Sequence, residues 1–349
     1  MARRDFHRLR VSAVEALTDE AAALTLEVPP ALKQEFDFAA GQTVTIRVGE
    51  QRRSYSICAP LGDPLRIGVR EVPGGAVSTL LVRGTKVGDT LEVQAPAGSF
   101  TPELGDAGRH VLIAAGSGIT PMISIAKSIL AGDPNSSVTL LYGNRGSQTV
   151  MFADELADLK DNYPSRMCLV HVLSREAQEV ELFNGRLDAA KLRQLLPVTV
   201  EPSSVDGWWL CGPLGMTTDA TEVLVELGVE VGRIHRELFY VEEEPPPPVQ
   251  HVDAPVGPGA EVTLLLDGRH SSVTVPPGVP ILDAAQRVRP DLPFACRGGV
   301  CGTCRALVTE GEVRMRRNFA LEQSELDAGY VLTCQSLPTS DTVSVSFDN

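Results

Sequence analysis

His110-Val111-Leu112-Ile113-Ala114-Ala115-Gly116-Ser117-Gly118-Ile119-Thr120-Pro121 lies about a third of the way along the 349-residue chain. An unbroken apolar run enters a glycine turn, and a helical pattern follows through Leu130. Apolar residues without alternation mark a strand buried on both faces, as in a parallel sheet covered by helices. The glycine turn then opens a helix, which aims backbone N–H groups and the positive helix end at the place a pyrophosphate would occupy. The turn is not the G-x-G-x-x-G of the dinucleotide fold, because Pro121 stands at the third glycine position. Val138–Tyr142, Cys168–Leu173 and Trp208–Cys211 are further buried-strand candidates with helical segments between them. This alternation predicts an α/β parallel-sheet domain over residues 106–241. Cys211-Gly212-Pro213 ends the last strand, where a ligand crossing the carboxyl ends of the sheet would meet it.

Upstream, residues 1–105 have a different texture. Short β-runs at Ala22–Val28, Thr43–Val48, Arg53–Ile57, Leu65–Val69 and Thr90–Val93 are separated by Pro and Gly, which predicts a small antiparallel β-barrel. The stretch Met1–Arg10 reads as a first strand, charged like a leader but lacking the apolar segment a leader needs. Arg53-Ser54-Tyr55-Ser56 offers a guanidinium for a phosphate, a ring to cover a heterocycle and hydroxyls to hydrogen-bond one. Gly74-Gly75-Ala76-Val77-Ser78-Thr79 follows further on, with hydroxyls of the same kind. Alone, the two also read as an exposed strand and a helix N-cap.

Downstream, Glu242-Glu243-Glu244-Pro245-Pro246-Pro247-Pro248 begins an extended spacer over 242–260. The tail, 261–349, opens with Val262–Leu266 and Ser272–Val275 alternating about Asp267-Gly268, as a hairpin does. A helix over Ile281–Val288 follows, then closing strands at Val331–Cys334 and Val343–Phe347. Between them lies Cys296-x4-Cys301-x2-Cys304, with Cys334 farther on, the spacing of a plant-type [2Fe-2S] site. Glycines at 298, 299 and 302 let the backbone wrap a cluster and turn N–H groups toward sulfur. Four thiolates also suit zinc, although zinc knuckles pair two C-x2-C units and only one is present.

A net charge of -14 argues against nucleic acid as a partner, and no apolar run approaches the roughly 18–20 residues of a membrane span. Seven cysteines without a secretory leader argue for a reducing compartment, the cytoplasm. Cys58 and Cys168 read as small core residues, and Trp208-Trp209 as packing. Six histidines form no metal-binding pattern. Arg314, Arg316 and Arg317 form a basic patch that reads either as a docking face or as a solvated one.

R-x-Y-S at Arg53–Ser56, G-x-G-x-x-P at Gly116–Pro121 and C-G-P at Cys211–Pro213 together resemble the ferredoxin-NADP reductase family, here followed by a plant-type ferredoxin domain. Arg52-Arg53-Ser54-Tyr55-Ser56-Ile57-Cys58, His171-Val172-Leu173-Ser174-Arg175-Glu176, Phe294-Ala295-Cys296-Arg297-Gly298-Gly299-Val300-Cys301 and Gly329-Tyr330-Val331-Leu332-Thr333-Cys334-Gln335 carry it further. They look most like the reductases that serve bacterial phenylacetyl-CoA epoxidases.

The resemblance implies a multidomain oxidoreductase with an FAD-binding barrel, an NAD(P)-binding domain and a β-grasp [2Fe-2S] domain of α+β type. It implies that Arg53 binds flavin phosphate, Tyr55 lies along the flavin, Ser54 lines the same signature and Ser56 reaches N5 or O4. Gly75 and Ser78 would hold the pyrophosphate. Gly116, Thr120 and Cys211 would shape the nicotinamide site, Glu237 would act beside it, and Phe239 would cover the flavin. Ser174, Arg175 and Arg145 would bind the 2'-phosphate of NADPH, with NADH left open, as is FMN in place of FAD. Cys296, Cys301, Cys304 and Cys334 would hold the cluster. The implied acceptor is the oxygenase component of a multicomponent monooxygenase, first a di-iron phenylacetyl-CoA epoxidase. A Rieske or steroid hydroxylase stands as an alternative, as does a non-catalytic redox sensor, which would not need all these signatures.

Overall fold

The computed structural model describes residues 5–49, 51–105, 107–240, 259–294, 296–321 and 323–348. Two compact units result, one spanning Phe6–Tyr240 and one holding the C-terminal residues. Residues 1–4 of the expected first strand and 241–258 of the proline-rich spacer lie outside the described residues.

The first unit begins with β1 (Phe6–Thr18), β2 (Ala21–Glu27), β3 (Thr43–Val48), β4 (Gln51–Ser56), β5 (Arg66–Arg70) and, after a short helix, β6 (Thr90–Ala97). Neighbours are antiparallel in the order β4-β3-β6-β1-β2-β5. Ile57 bridges Ile67, and the Cys58 N–H donates to the Arg66 carbonyl at 2.8 Å, so the two ends of the sheet meet and the barrel closes. Alternation fills it: Leu9 and Val11 point inward while Arg8 and Arg10 are exposed. The short helix, α1 (Ala76–Thr79), continues as a π-turn over Leu80–Gly84 and caps the barrel core with Val77 and Leu81.

The same unit continues with β7 (Arg109–Ala115), α2 (Ile119–Gly132), β8 (Ser137–Asn144), α3 (Ala153–Asn162), β9 (Met167–Leu173), α4 (Ala189–Thr199), β10 (Gly207–Pro213), α5 (Leu214–Glu226) and β11 (Ile234–Tyr240). All five strands are parallel, in the order β11-β10-β7-β8-β9. Leu112 and Leu140 pack on one face with Ile119, Met122 and Ile123 of α2. Val111, Ile113 and Leu141 pack on the other with Leu192 and Leu195 of α4 and Val223 and Leu224 of α5. Burial on both faces is why these strands read as unbroken apolar runs, each large side chain contributing about 1.5–3 kcal/mol. Trp208 and Trp209 are buried packing residues, as expected. The chain runs β7-β8-β9 to one side and returns as β10-β11 on the other, so the switch point opens between the ends of β7 and β10.

Two expectations are corrected. Cys58 is buried, but Cys168 is exposed: β9 is an edge strand, and Met167 turns inward while its neighbour faces out. In the C-terminal unit the helix ends at Ala285, not Val288, because the chain tightens to i→i+3 pairing, with the Val288 N–H on the Ala285 carbonyl at 3.0 Å, ahead of Pro290.

The C-terminal unit contains β12 (Ala260–Leu266), β13 (Arg269–Val275), α6 (Ile281–Ala285), β14 (Arg305–Glu310), β15 (Val313–Met315), α7 (Gln323–Asp327), β16 (Tyr330–Leu332), β17 (Ser336–Pro338) and β18 (Thr342–Ser346). The main sheet runs β13-β12-β18-β14-β16, parallel between β12 and β18 and otherwise antiparallel, with β15 and β17 paired separately. Ile281, Leu282, Ala284 and Ala285 of α6 pack on it with Leu264, Val343 and Phe347, which is the predicted β-grasp layout. Asp267 and Gly268 both take positive φ, 53° and 69°, as a two-residue hairpin turn requires. No helix among the described residues is long and apolar enough to cross a membrane.

Candidate functional site

In the cysteine loop, Arg297, Gly299 and Gly302 all take positive φ, 55°, 81° and 63°, which curls the backbone about the thiols. Cys334 does not continue β16 as expected but lies in the turn after it. Thr333 draws that turn in by donating its N–H and its hydroxyl to the Cys304 carbonyl, at 3.1 and 2.9 Å. Among the described residues no three His, Cys, Asp or Glu side chains gather for a single metal ion. The thiols instead interact most strongly two by two, Cys296 with Cys301 and Cys304 with Cys334. Zinc needs four ligands about one point, whereas a two-iron cluster takes two thiolates on each iron, so the pairing fits [2Fe-2S]. The Gly298 N–H donates to Cys296 Sγ at 3.3 Å. The Cys296 thiol is lowered to about 7 by its interaction with Cys301, against burial. The Gln335 amide donates to the Arg297 carbonyl at 2.7 Å and lies 3.7 Å from Cys334 Sγ, latching the loop to the fourth cysteine. Cys304 and Cys334 are buried and Cys296 and Cys301 half-buried, so one end of the site faces outward.

At the switch point of the parallel sheet the fit is tight. A Cβ on Gly118 would lie 2.1 Å from the Cys211 carbonyl oxygen, so only glycine lets the turn approach β10. Gly116 has φ of 54°, and its carbonyl accepts from Tyr142 Oη at 3.1 Å. Burial raises the Tyr142 phenol, which keeps it protonated as that donor. The Thr120 hydroxyl donates to the Ser117 carbonyl at 2.8 Å, so it braces the turn. Cys211 is fully buried, and burial together with the Glu237 charge holds its thiol well above the usual range. Glu237 is the register partner of Cys211 across β10 and β11. The Ser56 hydroxyl, from β4, reaches Glu237 Oε2 at 3.5 Å. Ser56, Cys211 and Glu237 therefore meet at one spot, and Phe239 packs half-buried two residues beyond.

On the barrel, Arg53 and Tyr55 share one face of β4 by alternation, Ser54 and Ser56 the other. Arg53 is exposed and donates to the Arg52 carbonyl at 2.7 Å, and burial raises the Tyr55 phenol despite the Arg53 charge. A Cβ on Gly75 would lie 2.7 Å from Ser78 Oγ and 3.0 Å from the Val72 carbonyl oxygen. Ser78 Oγ accepts the Val72 N–H at 3.0 Å and donates to the Gly75 carbonyl at 3.1 Å. Its hydroxyl is thus engaged in the turn, and what the segment offers an anion is the N–H row at the start of α1.

The loops after β8 and β9 are tied together. Ser174 donates its N–H and hydroxyl to the Asn144 carbonyl at 3.0 and 3.2 Å, and the Arg175 N–H donates to the Arg145 carbonyl at 2.8 Å. Arg145, Ser174 and Arg175 therefore sit at one carboxyl end of the sheet. Sequence reading missed two neighbours from the barrel. Arg70 Nη1 lies 2.6 Å from where a Gly116 Cβ would stand, and Glu20 Oε2 accepts from Arg145 Nη2 at 2.7 Å. Neither belongs to a motif, so no local pattern could have found them.

A tight-turn crevice beside a closed barrel, with four thiols gathered in a second unit, is accompanied by domain matches that define a flavin-, nicotinamide- and iron–sulfur-binding oxidoreductase. Residues 8–101 match the oxidoreductase FAD-binding domain, 112–222 the oxidoreductase NAD-binding domain and 264–339 the 2Fe-2S iron-sulfur cluster binding domain. The chain belongs to the ferredoxin-NADP-reductase-like family that carries a C-terminal [2Fe-2S] domain. It is 41% identical to a component protein of the 1,2-phenylacetyl-CoA epoxidase of Escherichia coli (strain K12), over 98% of each chain. It is 36% identical to the ferredoxin reductase component of the 3-ketosteroid-9-alpha-monooxygenase of Mycobacterium tuberculosis, over 97% of this chain and 95% of that one. Its fold is similar to that of phthalate dioxygenase reductase, with a TM-score of 0.60 at 22% identity over 98% of each chain.

Proposed function

We propose that this chain is the NADPH-dependent reductase of a multicomponent oxygenase, passing electrons by way of FAD and [2Fe-2S] to a di-iron enzyme that epoxidises phenylacetyl-CoA in the cytoplasm. The observation that carries the reading is the meeting of Ser56, Cys211 and Glu237 at the switch point, in a chain whose cluster thiols stand two by two. The acceptor rests on end-to-end similarity to the epoxidase component. Similarity to the steroid monooxygenase component supports a second reading, in which the acceptor is a steroid-hydroxylating oxygenase. We assign residues 1–105 to flavin, 106–241 to nicotinamide, 242–260 to a linker and 261–349 to the cluster.

Bound flavin supplies the exchange between the two electrons of a hydride and the single electrons that a [2Fe-2S] cluster accepts. Cys296 and Cys301 would hold one iron, Cys304 and Cys334 the other. Arg53 would neutralise flavin phosphate, with Tyr55 along the same face and Ser54 behind it. Gly75 would admit the pyrophosphate by lacking a side chain, and Ser78 would offer its N–H. Ser56 would turn its single hydroxyl proton toward the flavin edge or toward Glu237, which accepts it here. Gly116 and Thr120 would shape the turn beneath the nicotinamide, Cys211 would present a neutral thiol there, and Phe239 would exclude water. Arg145, Ser174 and Arg175 would bind the 2'-phosphate, because guanidinium groups suit that dianion.

Anaerobic stopped-flow mixing with NADPH and with NADH tests the reading. NADPH should bleach the flavin band and then the cluster band, with NADH far slower. Equal or faster reduction by NADH would sink the 2'-phosphate assignment, and an unreduced cluster would sink electron transfer altogether.

A further inference from the structure

Glu20 lies in the turn between β1 and β2. Its carbonyl accepts the Glu71 N–H at 2.8 Å, and its own N–H donates to Thr18 Oγ1 at 3.2 Å. These bonds fix the turn beside the end of β5, where Arg70 reaches over the Gly116 turn. The Glu20 carboxylate holds Arg145 at 2.7 Å, and Arg70 stands within reach of both charges, attracted by Glu20 and repelled by Arg145. One carboxylate thus holds Arg145 at the rim of the nucleotide crevice, with the Arg70 guanidinium close enough to feel both charges. Glu20 and Arg145 are each about half exposed, 52% and 46%, so their pair adds little to folding. Its consequence lies in what Arg145 is free to bind.

We propose that Glu20 sets the nucleotide selectivity of this crevice by acting as an internal anion on Arg145. A 2'-phosphate must displace the carboxylate before pairing with Arg145, whereas a nucleotide with a free 2'-hydroxyl requires no exchange. Glu20 therefore narrows the preference for NADPH over NADH, and it does so from the flavin-binding side of the unit. This rests on the assignment of Arg145, Ser174 and Arg175 to the 2'-phosphate.

The test is titration of the holoenzyme and its Glu20→Gln variant with 2',5'-ADP and with 5'-ADP, followed by KM for NADPH and NADH. Glutamine keeps the size of the side chain and leaves the backbone bonds of the turn in place. The variant should bind 2',5'-ADP roughly two- to fivefold more tightly with 5'-ADP almost unchanged, and the gain should shrink as salt is raised. Equal tightening of both ligands would mean that Glu20 repels anions in general, and no change would mean that it does not compete for Arg145. Either overturns the proposal. Arg175→Ala, titrated in parallel, separates the two layers: if it leaves 2',5'-ADP affinity intact, the 2'-phosphate assignment itself falls, whatever Glu20 does.

Discussion

The cysteine loop of the C-terminal unit and the crevice of the Phe6–Tyr240 unit gather their chemistry by opposite means. In the loop, three of the four proposed ligands lie within nine residues, and positive-φ backbone at Arg297, Gly299 and Gly302 brings them round. In the crevice, Ser56 and Glu237 meet although 181 residues separate them, and Gly118 touches Cys211 only because two parallel strands end side by side. A local site stands or falls with each ligand. A distributed one tolerates a lost side chain better than a lost approach between backbones. The difference predicts how each unit breaks.

The largest effect should come from Cys301→Ser. Losing one of four ligands should abolish the cluster's visible absorbance and cut electron delivery beyond it by more than the roughly 10–100-fold that an outer-shell partner is worth. Flavin reduction by NADPH, followed at the flavin band, should stay close to that of the unaltered protein. If it falls in step with the cluster, the two regions are not separable and the contrast fails.

Next comes Gly118→Val. Its Cβ would need to stand 2.1 Å from the Cys211 carbonyl oxygen and 2.6 Å from the carbonyl carbon, so β10 or the glycine turn must move. Displacement by about 1 Å is worth on the order of 100-fold in rate, and overpacking costs about 1–3 kcal/mol. Flavin reduction should drop accordingly while the cluster spectrum is untouched. Gly215, in α5, has open space where a Cβ would go, so Gly215→Ala should be neutral or stabilising by up to about 1 kcal/mol in thermal unfolding. Equal damage from both changes would show that the crevice is no tighter than the surface of a helix.

The same contrast explains what the sequence disclosed. The cluster loop, the hairpin at Asp267-Gly268 and the apolar strand at Val111–Ala115 are legible because spacing, turn chemistry and periodicity are local quantities. The edge position of β9 is not local, which is why Cys168 reads as core in the sequence and stands exposed in the fold. The occupation of the Ser78 hydroxyl by its own turn, the approach of Gly118 to β10 and the placement of Glu20 beside Arg145 depend on which elements become neighbours, and no single window of sequence records that.

The smallest effect, and the finest probe of the distributed site, concerns what pins the barrel to the sheet. Arg66 of β5 donates to Glu155 of α3 at 2.7 Å and to Glu15 of β1 at 2.6 Å, and Lys127 of α2 also donates to Glu155. Burial alone would raise the Glu155 carboxyl, but the hydrogen bonds from Arg66 and Lys127 outweigh it and hold the group below its ordinary 4.5. A carboxylate depressed in the folded state stabilises above its unfolded value, and that contribution is lost as pH falls through the folded one. Glu155→Gln should therefore lower stability near neutral pH and flatten the acid limb of the unfolding profile below about pH 4.5. Breaking a fully buried pair costs about 3–5 kcal/mol, but Glu155 is 22% exposed and Arg66 keeps Glu15, so about 1–2 kcal/mol is expected here. Thermal unfolding of both proteins from pH 3 to pH 7 measures it. An unchanged acid limb would mean that the shared apolar core around Ala21, Ala23 and Cys58 joins barrel to sheet without help from charge. The crevice would then owe its geometry to packing alone, as the cysteine loop owes its own to backbone conformation.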